Sequence, residues 1–119
     1  MSYELLSRYS DASNVHDVDA IMGMMTPDCV FHASIGPRLM GRTATGTAAV
    51  REAVESFFRA LPDCQWSESE IVALGERGFS EWTMRATTPN GEVAVRGCDL
   101  FVVRDGLIHV KNAFRKQEV

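Results

Sequence analysis

The chain is poor in the residues that build metal centres and disulfide frameworks. Its 119 residues include three cysteines and three histidines. Cys29, Cys64 and Cys98 are odd in number, widely spaced and without a C-x-x-C motif, so we interpret them as small buried hydrophobic residues. The histidines show neither H-x-H nor H-x-x-x-H spacing, and zinc sites have specific spacings. We therefore predict no metal site.

Other missing features exclude further classes of function. No run approaches 18 apolar residues, and the first ten residues do not resemble a signal peptide, so we expect a cytoplasmic protein with no membrane contact. Lys and Arg form no cluster and the net charge is −4, which argues against nucleic-acid binding. A phosphate-binding Gly-rich loop and a nucleophile elbow are also missing, so the chemistry that we expect needs no cofactor.

What is present is typical of one globular domain spanning residues 1–119. The composition is 45% hydrophobic and 24% charged, and the length permits a substantial core. Apolar residues at helical spacing precede alternating, strand-like segments. Because the helices come first and a strand meander follows, we predict an α+β fold with three helices covering one face of an antiparallel sheet. The predicted helices span 3–13, 17–25 and 47–60, and the predicted strands before the last hairpin span 29–33, 66–74 and 79–87.

The last hairpin gives the most specific structural prediction. Asp105-Gly106, flanked by strand formers, is typical of a two-residue type I′ turn. Counting outward from the turn gives the register: Val103 pairs with Ile108, Phe101 with Val110, Asp99 with Asn112 and Gly97 with Phe114. These residues share one face of the hairpin, which we predict to point inward because it is apolar apart from Asp99 and Asn112. Lys111 and Arg115 fall on the outer face, which we expect to contact water.

A second hairpin extends this inner face. With Asn90-Gly91 as its loop, Trp82 pairs with Asp99 and would lie beside Asp99 and Asn112. Two interpretations stay open: a carboxylate bonded to an amide within the core, or the floor of a pocket, where a buried carboxylate has a raised pKa. One β-bulge in the last strand would instead place Lys111 or Ala113 where we expect Asn112.

His32 lies in the short predicted strand of residues 29–33 and also has two interpretations. It is either a partly buried histidine with its hydrogen bonds satisfied, or a general acid/base in a cavity. The segment that follows, residues 34–46, contains Gly36, Pro37, Gly41 and Gly46 and is predicted as a loop, of the kind that serves as a lid or rim beside a pocket.

The chain resembles the SnoaL-like group of the nuclear transport factor 2-like superfamily over nearly its whole length. The resemblance is carried by residues 16–20 (HDVDA), Pro27-Asp28, residues 46–51 (GTAAVR), and above all residues 96–101 (RGCDLF) followed by residues 104–108 (RDGLI). It implies a cone-shaped fold in which a curved sheet wraps around the helices and leaves an apolar cavity that is open at one end. The superfamily includes cyclases, isomerases, epoxide hydrolases and non-catalytic binders, so fold alone does not imply an activity.

The resemblance also assigns a candidate residue. Asp99 matches the aspartate that polyketide cyclases of this type carry before the final hairpin. The aspartate base of similar isomerases is missing around residues 30–34, and the last strand lacks the acidic residues common in the epoxide hydrolases.

The leading hypothesis is an isomerase, lyase or cyclase that uses cofactor-free acid–base chemistry on a small hydrophobic molecule. The alternatives are a non-catalytic module that binds a hydrophobic ligand and a structural dimer with a filled core. We expect a homodimer formed through the outer sheet face, which carries Thr83, Leu100, Val102 and Ala113. The candidate catalytic residues are Asp99, His32 and Asn112, and the candidate substrate-binding residues are Trp82, Met84, Phe101, Phe57, Phe58 and Met25.

Overall fold

The computed structural model describes residues 2–118, which form three helices and one six-stranded sheet. The helices are α1 (Ser2–Asn14), α2 (Val18–Gly23) and α3 (Thr47–Ala60). The strands are β1 (Met25–His32), β2 (Thr43–Thr45), β3 (Gln65–Leu74), β4 (Arg77–Thr88), β5 (Gly91–Arg104) and β6 (Leu107–Arg115). The sheet is curved, with the strand order β2-β1-β6-β5-β4-β3. This confirms the predicted α+β cone.

The helices pack on the concave side of the sheet. Helix α1 contacts β3 and β4, and α3 contacts β1 and β2. Leu5, Leu6, Tyr9 and Ala12 are buried along α1 at the spacing of one helical face. Helix α2 is capped by Asp17, whose carboxylate accepts a hydrogen bond from the backbone N–H of Ala20, an interaction typically contributing about 1 kcal/mol.

The strands from residue 77 onward form consecutive antiparallel hairpins, as predicted. Asp105 and Gly106 both have positive φ, 55° and 77°, and Arg104 pairs with Leu107, as a type I′ turn requires. In the preceding hairpin the loop is Pro89-Asn90, not Asn90-Gly91, because Thr88 pairs with Gly91. The register therefore differs from the prediction by two residues, which keeps every side chain on its predicted face.

A β-bulge changes the last strand. Val103 pairs with Ile108 as predicted, but Val102 pairs with Val110, so His109 is an extra residue in β6. Its ring nitrogen Nδ1 lies 3.0 Å from Thr26 Oγ1, which ties the bulge to β1. Beyond this point the predicted register is wrong by one residue. Asp99 pairs with Ala113 rather than with Asn112.

Strand β1 differs from the prediction of a purely antiparallel sheet. It runs parallel to β6 and begins at Met25 instead of residue 29. Its register shifts between Met25 and Val30, and Pro27 lies within this irregular segment, where a missing N–H is tolerated. The predicted loop 34–46 also contains β2, which pairs with the end of β1.

Two of the three cysteines are buried, in agreement with their interpretation as small hydrophobic residues. Cys29 and Cys64 have no exposed surface, while Cys98 is half-buried. Burial raises the pKa of the Cys64 thiol to about 11, so this thiol stays protonated at neutral pH. Within residues 2–118, no helix is long and apolar enough to span a membrane.

Candidate functional site

A cavity of about 580 Å³ lies between the concave face of the sheet and the helices. This volume is within the range of small-molecule binding sites. Residues of the 34–42 segment and exposed residues of α3 form its outer part, and the inner faces of β4, β5 and β6 form its inner end. Its aromatic wall consists of Phe31, Phe57, Phe58, Trp66 and Trp82.

Asp99 lies at the inner end of this cavity. The residue is 7% exposed, and its Oδ2 accepts a hydrogen bond from Trp82 Nε1 at 3.1 Å. Trp82 pairs across the strands with Gly97, so its indole lies directly over a residue that has no side chain. A β-carbon at Gly97 would come within 2.7 Å of the indole ring. Because Gly97 has no side chain, the Trp82 indole can occupy the position from which it donates to Asp99.

Two cationic side chains line the same end. Lys111, Ala113 and Arg115 alternate along β6 and all face the cavity, with Ala113 directly opposite Asp99. The Lys111 ammonium lies 5.2 Å from the ring centre of Tyr9 and 5.1 Å from that of Phe31. The Arg115 guanidinium lies 5.1 Å from the ring centre of Phe57. At these distances the aromatic rings attract both cations.

These surroundings shift the ionisation of the central groups. Burial raises the pKa of Asp99, although the charge of Lys111 and the hydrogen bond from Trp82 partly offset that effect. Burial alone would lower the pKa of Lys111, but its proximity to Tyr9 and to Asp99 raises it above the ordinary value. Lys111 is therefore an ammonium at neutral pH, and Asp99 holds its proton to a higher pH than an exposed aspartate does.

Stacked rings fix the aromatic wall. Phe57 stacks on Trp66 with ring centres 5.9 Å apart, and Trp66 meets Trp82 edge to face at 6.5 Å. Behind the wall, His16 stacks on Phe58 at 4.1 Å, and its Nε2 lies 2.8 Å from the carbonyl oxygen of Cys64. The wall is thus held on both sides before any ligand arrives.

The structure brings together five of the nine predicted site residues: Asp99, Trp82, Phe57, Phe58 and Met25 all line the cavity. Met84 and Phe101 face inward but do not line it. Met84 is 1% exposed and packs in a core cluster beneath Trp82, and Phe101 packs edge to face on Tyr9 in the main core.

The predicted placement of Asn112 and His32 in the cavity is wrong. The bulge at His109 turns Asn112 to the outer face, where it pairs with Leu100. His32 does not line the cavity either; its Nδ1 lies 2.8 Å from Thr43 Oγ1, across the antiparallel pair of β1 and β2. Of the two interpretations of His32, the structure therefore favours the histidine with a local hydrogen-bond partner over the general acid/base in a cavity.

Sequence reasoning missed Lys111 and Arg115, which it placed on the outer face. The sequence analysis allowed for Lys111 only through the alternative that a β-bulge in the last strand would place it on the inner face. Among residues 2–118, His, Cys, Asp and Glu side chains form no group of three that could hold a metal ion. The charged groups that line the inner end, among the described residues, are thus one carboxyl group and two cations.

Comparisons with known proteins support the fold strongly. A candidate polyketide cyclase from Xanthomonas campestris pv. campestris is 21% identical, with 93% of this chain and 87% of that chain covered and a TM-score of 0.83. SalBIII, an epoxide hydrolase/cyclase-like enzyme with a role in pyran ring formation in the polyether salinomycin, is 24% identical, with 96% and 89% covered and a TM-score of 0.81. TerC, crystallised with polyporic acid, is 19% identical, with 95% and 89% covered and a TM-score of 0.79.

No curated protein matches the sequence. A family model does: residues 6–110 match the SnoaL-like domain, a span that contains Asp99 and Trp82 and ends within β6. This match covers most of the chain and agrees with the cone-shaped structural relatives. The chain belongs to the SnoaL-like family.

Proposed function

We propose that this protein is a cofactor-free acid–base enzyme that acts on a planar, mostly apolar carbonyl compound. The observation that carries the proposal is the position of Asp99, a buried carboxyl group at the inner end of an aromatic-walled cavity. Trp82 is the only side chain among residues 2–118 that donates a hydrogen bond to it. The carboxyl group thus keeps acceptor capacity for a substrate.

In the proposed reaction Asp99 removes a proton from the carbon next to the substrate carbonyl. The C–H bonding electrons form a carbon–carbon double bond, and the carbonyl oxygen takes the negative charge of an enolate. Lys111 and Arg115 lie along the same cavity wall and stabilise that charge. Asp99 then returns the proton to a different carbon. Alternatively, the enolate carbon attacks a second carbonyl carbon in the same molecule and closes a ring; the π electrons of that carbonyl move to its oxygen, which takes the proton from Asp99.

The raised pKa of Asp99 suits this role. A general base works best when its pKa is near the working pH, because it is then both ionised often enough and basic enough. Burial raises the Asp99 pKa towards the working pH. The hydrogen bond from the indole holds Oδ2 in place, and Oδ1 is left for the proton transfer.

Two features of the relatives fit the proposal. The SnoaL-like family includes polyketide cyclase-like proteins, and SalBIII has a role in forming a pyran ring. These two solved structures are below 25% identical and show the fold alone, whereas the family match supports a small-molecule cyclase or isomerase type of function. The planar carbonyl substrate and its reaction through an enolate are our own proposal, because a shared fold does not determine an activity.

A test that needs no natural substrate is proton exchange on 2-tetralone, a bicyclic ketone that contains a fused benzene ring and has acidic protons at C1. The protein is incubated with 2-tetralone in D₂O, and proton NMR follows the loss of the C1 signal. We expect exchange faster than in buffer, proportional to protein concentration and inhibited by 2-naphthol. Lys116→Met, an exposed charge change next to Arg115 in the chain, is the control and should keep the rate.

The result also separates the enzyme from the alternative of a binding module. If 2-naphthol binds but exchange is no faster than in buffer, the cavity binds apolar ligands without acid–base catalysis and the proposed activity is wrong.

A further inference from the structure

The cavity carries more positive than negative charge at its inner end. Lys111 and Arg115 face it there, and Asp99 is the one carboxyl group between them on the neighbouring strand. Glu52 also lines the cavity, but it lies at the exposed side and forms a salt bridge with Arg59 at 3.0 Å. The inner end is therefore electropositive although the whole chain has a net charge of −4.

Among the described residues, neither cation is paired with a carboxylate at salt-bridge distance. Within residues 2–118, neither Lys111 nor Arg115 has a carboxylate oxygen within 4.0 Å, whereas most other arginines of the sheet and helices are in salt bridges. Arg115 Nε is the one buried side-chain nitrogen or oxygen of the described residues without a hydrogen-bond partner. Buried donors are nearly always satisfied in native proteins, so this donor indicates a missing acceptor.

Ala113 leaves room for that acceptor. It lies between Lys111 and Arg115 on β6, and their Cα atoms are four residue steps apart, about 13 Å along the strand. On the inner face of this strand, the methyl group of Ala113 is the side chain between them, and it faces Asp99 across the ladder. A group placed over Ala113 is flanked by both long cationic side chains and by the Asp99 carboxyl group.

We propose that the ligand of this cavity is an anion, a carboxylate, enolate or phenolate on a planar aromatic frame, whose charge is received by Lys111 and Arg115. The inference rests on the proposed function and names its substrate class. The aromatic frame lies against the wall formed by Phe57, Trp66 and Trp82, whose rings already pack on one another. The anionic group points to the inner end, since that is where the cations lie.

Asp99 is compatible with such a ligand. A charged carboxylate would repel an anion, but burial raises the pKa of Asp99, so this carboxyl group takes up a proton more readily than an exposed aspartate and can then donate a hydrogen bond to the anion. This makes a specific prediction for the ligand-bound state: the proton lies between Asp99 and the anionic group, ready for transfer.

The test compares 2-naphthoate with its neutral isostere 2-naphthamide by isothermal titration calorimetry. Wild-type protein should bind the naphthoate at least about tenfold more tightly than the naphthamide, because hydrogen bonds to charged groups are stronger than those between neutral groups. Lys111→Met and Arg115→Met should each remove most of this preference. Lys116→Met changes the net charge equally at an exposed position and should leave the preference unchanged.

Two-dimensional NMR gives the position of binding independently. The chain has two tryptophans, and both line the cavity, so the two indole N–H signals report on its wall. Naphthoate should shift both. Asp99→Asn should strengthen naphthoate binding, because the amide N–H can donate a hydrogen bond to the anion without first taking up a proton. If either Met variant fails to fold, Lys111→Gln or Arg115→Gln repeats the comparison with a neutral polar side chain.

The outcomes separate this inference from the function on which it rests. Equal affinity for the two probes, or a preference that survives in both cation variants, overturns the anionic ligand and leaves an apolar binding cavity standing. If neither probe binds and neither indole signal moves, both the inference and the proposed small-molecule site are wrong.

Discussion

Trp82 donates its indole hydrogen bond to Asp99 at 3.1 Å although the two residues are not partners in the strand ladder. Trp82 pairs with Gly97 and Asp99 pairs with Ser80, so the bond runs diagonally across the sheet. A long aromatic side chain can span this diagonal. The geometry couples the aromatic wall of the cavity to the buried carboxyl group of Asp99.

Replacing Trp82 by Phe should raise the pKa of Asp99 further. The indole N–H stabilises the ionised carboxylate, so its loss favours the protonated form. Carbon-13 NMR of the labelled aspartate carboxyl groups, followed as a function of pH, measures the shift. Trp66→Phe is the matched control, since Trp66 lines the same cavity and does not bond to Asp99. An Asp99 pKa that is unchanged or lower in Trp82→Phe would contradict this account of the hydrogen bond.

Replacing Gly97 by Ala should displace the Trp82 indole. The new β-carbon would lie 2.7 Å from ring atom Cη2 and 2.4 Å from the backbone oxygen of Phe114, so ring or strand has to move. Overpacking of this kind typically destabilises a protein by about 1–3 kcal/mol. Urea denaturation measures the loss. The control is Gly23→Ala, where a β-carbon meets nothing within 4 Å, and an equal loss in both variants would refute the steric explanation.

The sequence was sufficient to predict the hairpins, but not which residues of β6 lie on the inner face of the sheet. Asp105-Gly106 predicted its turn correctly, because a type I′ turn demands residues that tolerate positive φ. The error of two residues at the Pro89-Asn90 turn was harmless, since side chains alternate with period two.

The bulge at His109 had no comparable signal in the sequence. It depends on how β6 pairs with β1 on its other side, a contact between segments far apart in the chain. One extra residue exchanged Asn112 for Lys111 and Ala113 on the inner face. The buried carboxyl group of the site was therefore predictable, whereas its cations were not.

The stability of the protein should depend on pH through Asp99. Its folded-state pKa is raised from the ordinary value of 3.8, so the folded protein binds this proton more tightly than the unfolded chain. The resulting stabilisation is complete below the unfolded pKa and is lost as pH rises through the folded pKa. Relative to Asp99→Asn, the wild-type free energy of unfolding should therefore fall as pH rises from 3.8 and level off above the folded pKa.

Urea denaturation of both proteins across this pH range provides the measurement, and the difference between them cancels the other titrating groups. A difference that increases with pH would mean that the folded-state pKa of Asp99 is depressed.

We expect the convex face of the sheet to form a homodimer. Leu100 is 45% exposed and Phe114 is 49% exposed on this face, and Phe79 lies beside Leu100 on the neighbouring strand. Phe114 takes the place that was predicted for Ala113, which is buried on the inner face. Exposed apolar side chains on adjacent strands are typical of an interface.

Sedimentation velocity tests this expectation. The wild type should sediment as a dimer, and Leu100→Lys or Phe114→Lys should shift it towards the 13.2 kDa monomer. Leu74→Lys, a change at an 81% exposed leucine at the end of β3, should not. A wild-type monomer at micromolar concentration would contradict the dimer.

The most direct test of the central claim is the kinetics of 2-tetralone proton exchange in Asp99→Asn. This variant keeps the shape of the side chain and an acceptor for the Trp82 indole while removing the base. We expect the maximal exchange rate to fall by about 10², the usual contribution of a general base, with little change in the Michaelis constant for 2-tetralone. An Asp99→Asn variant that exchanges as fast as the wild type would show that Asp99 is not the base.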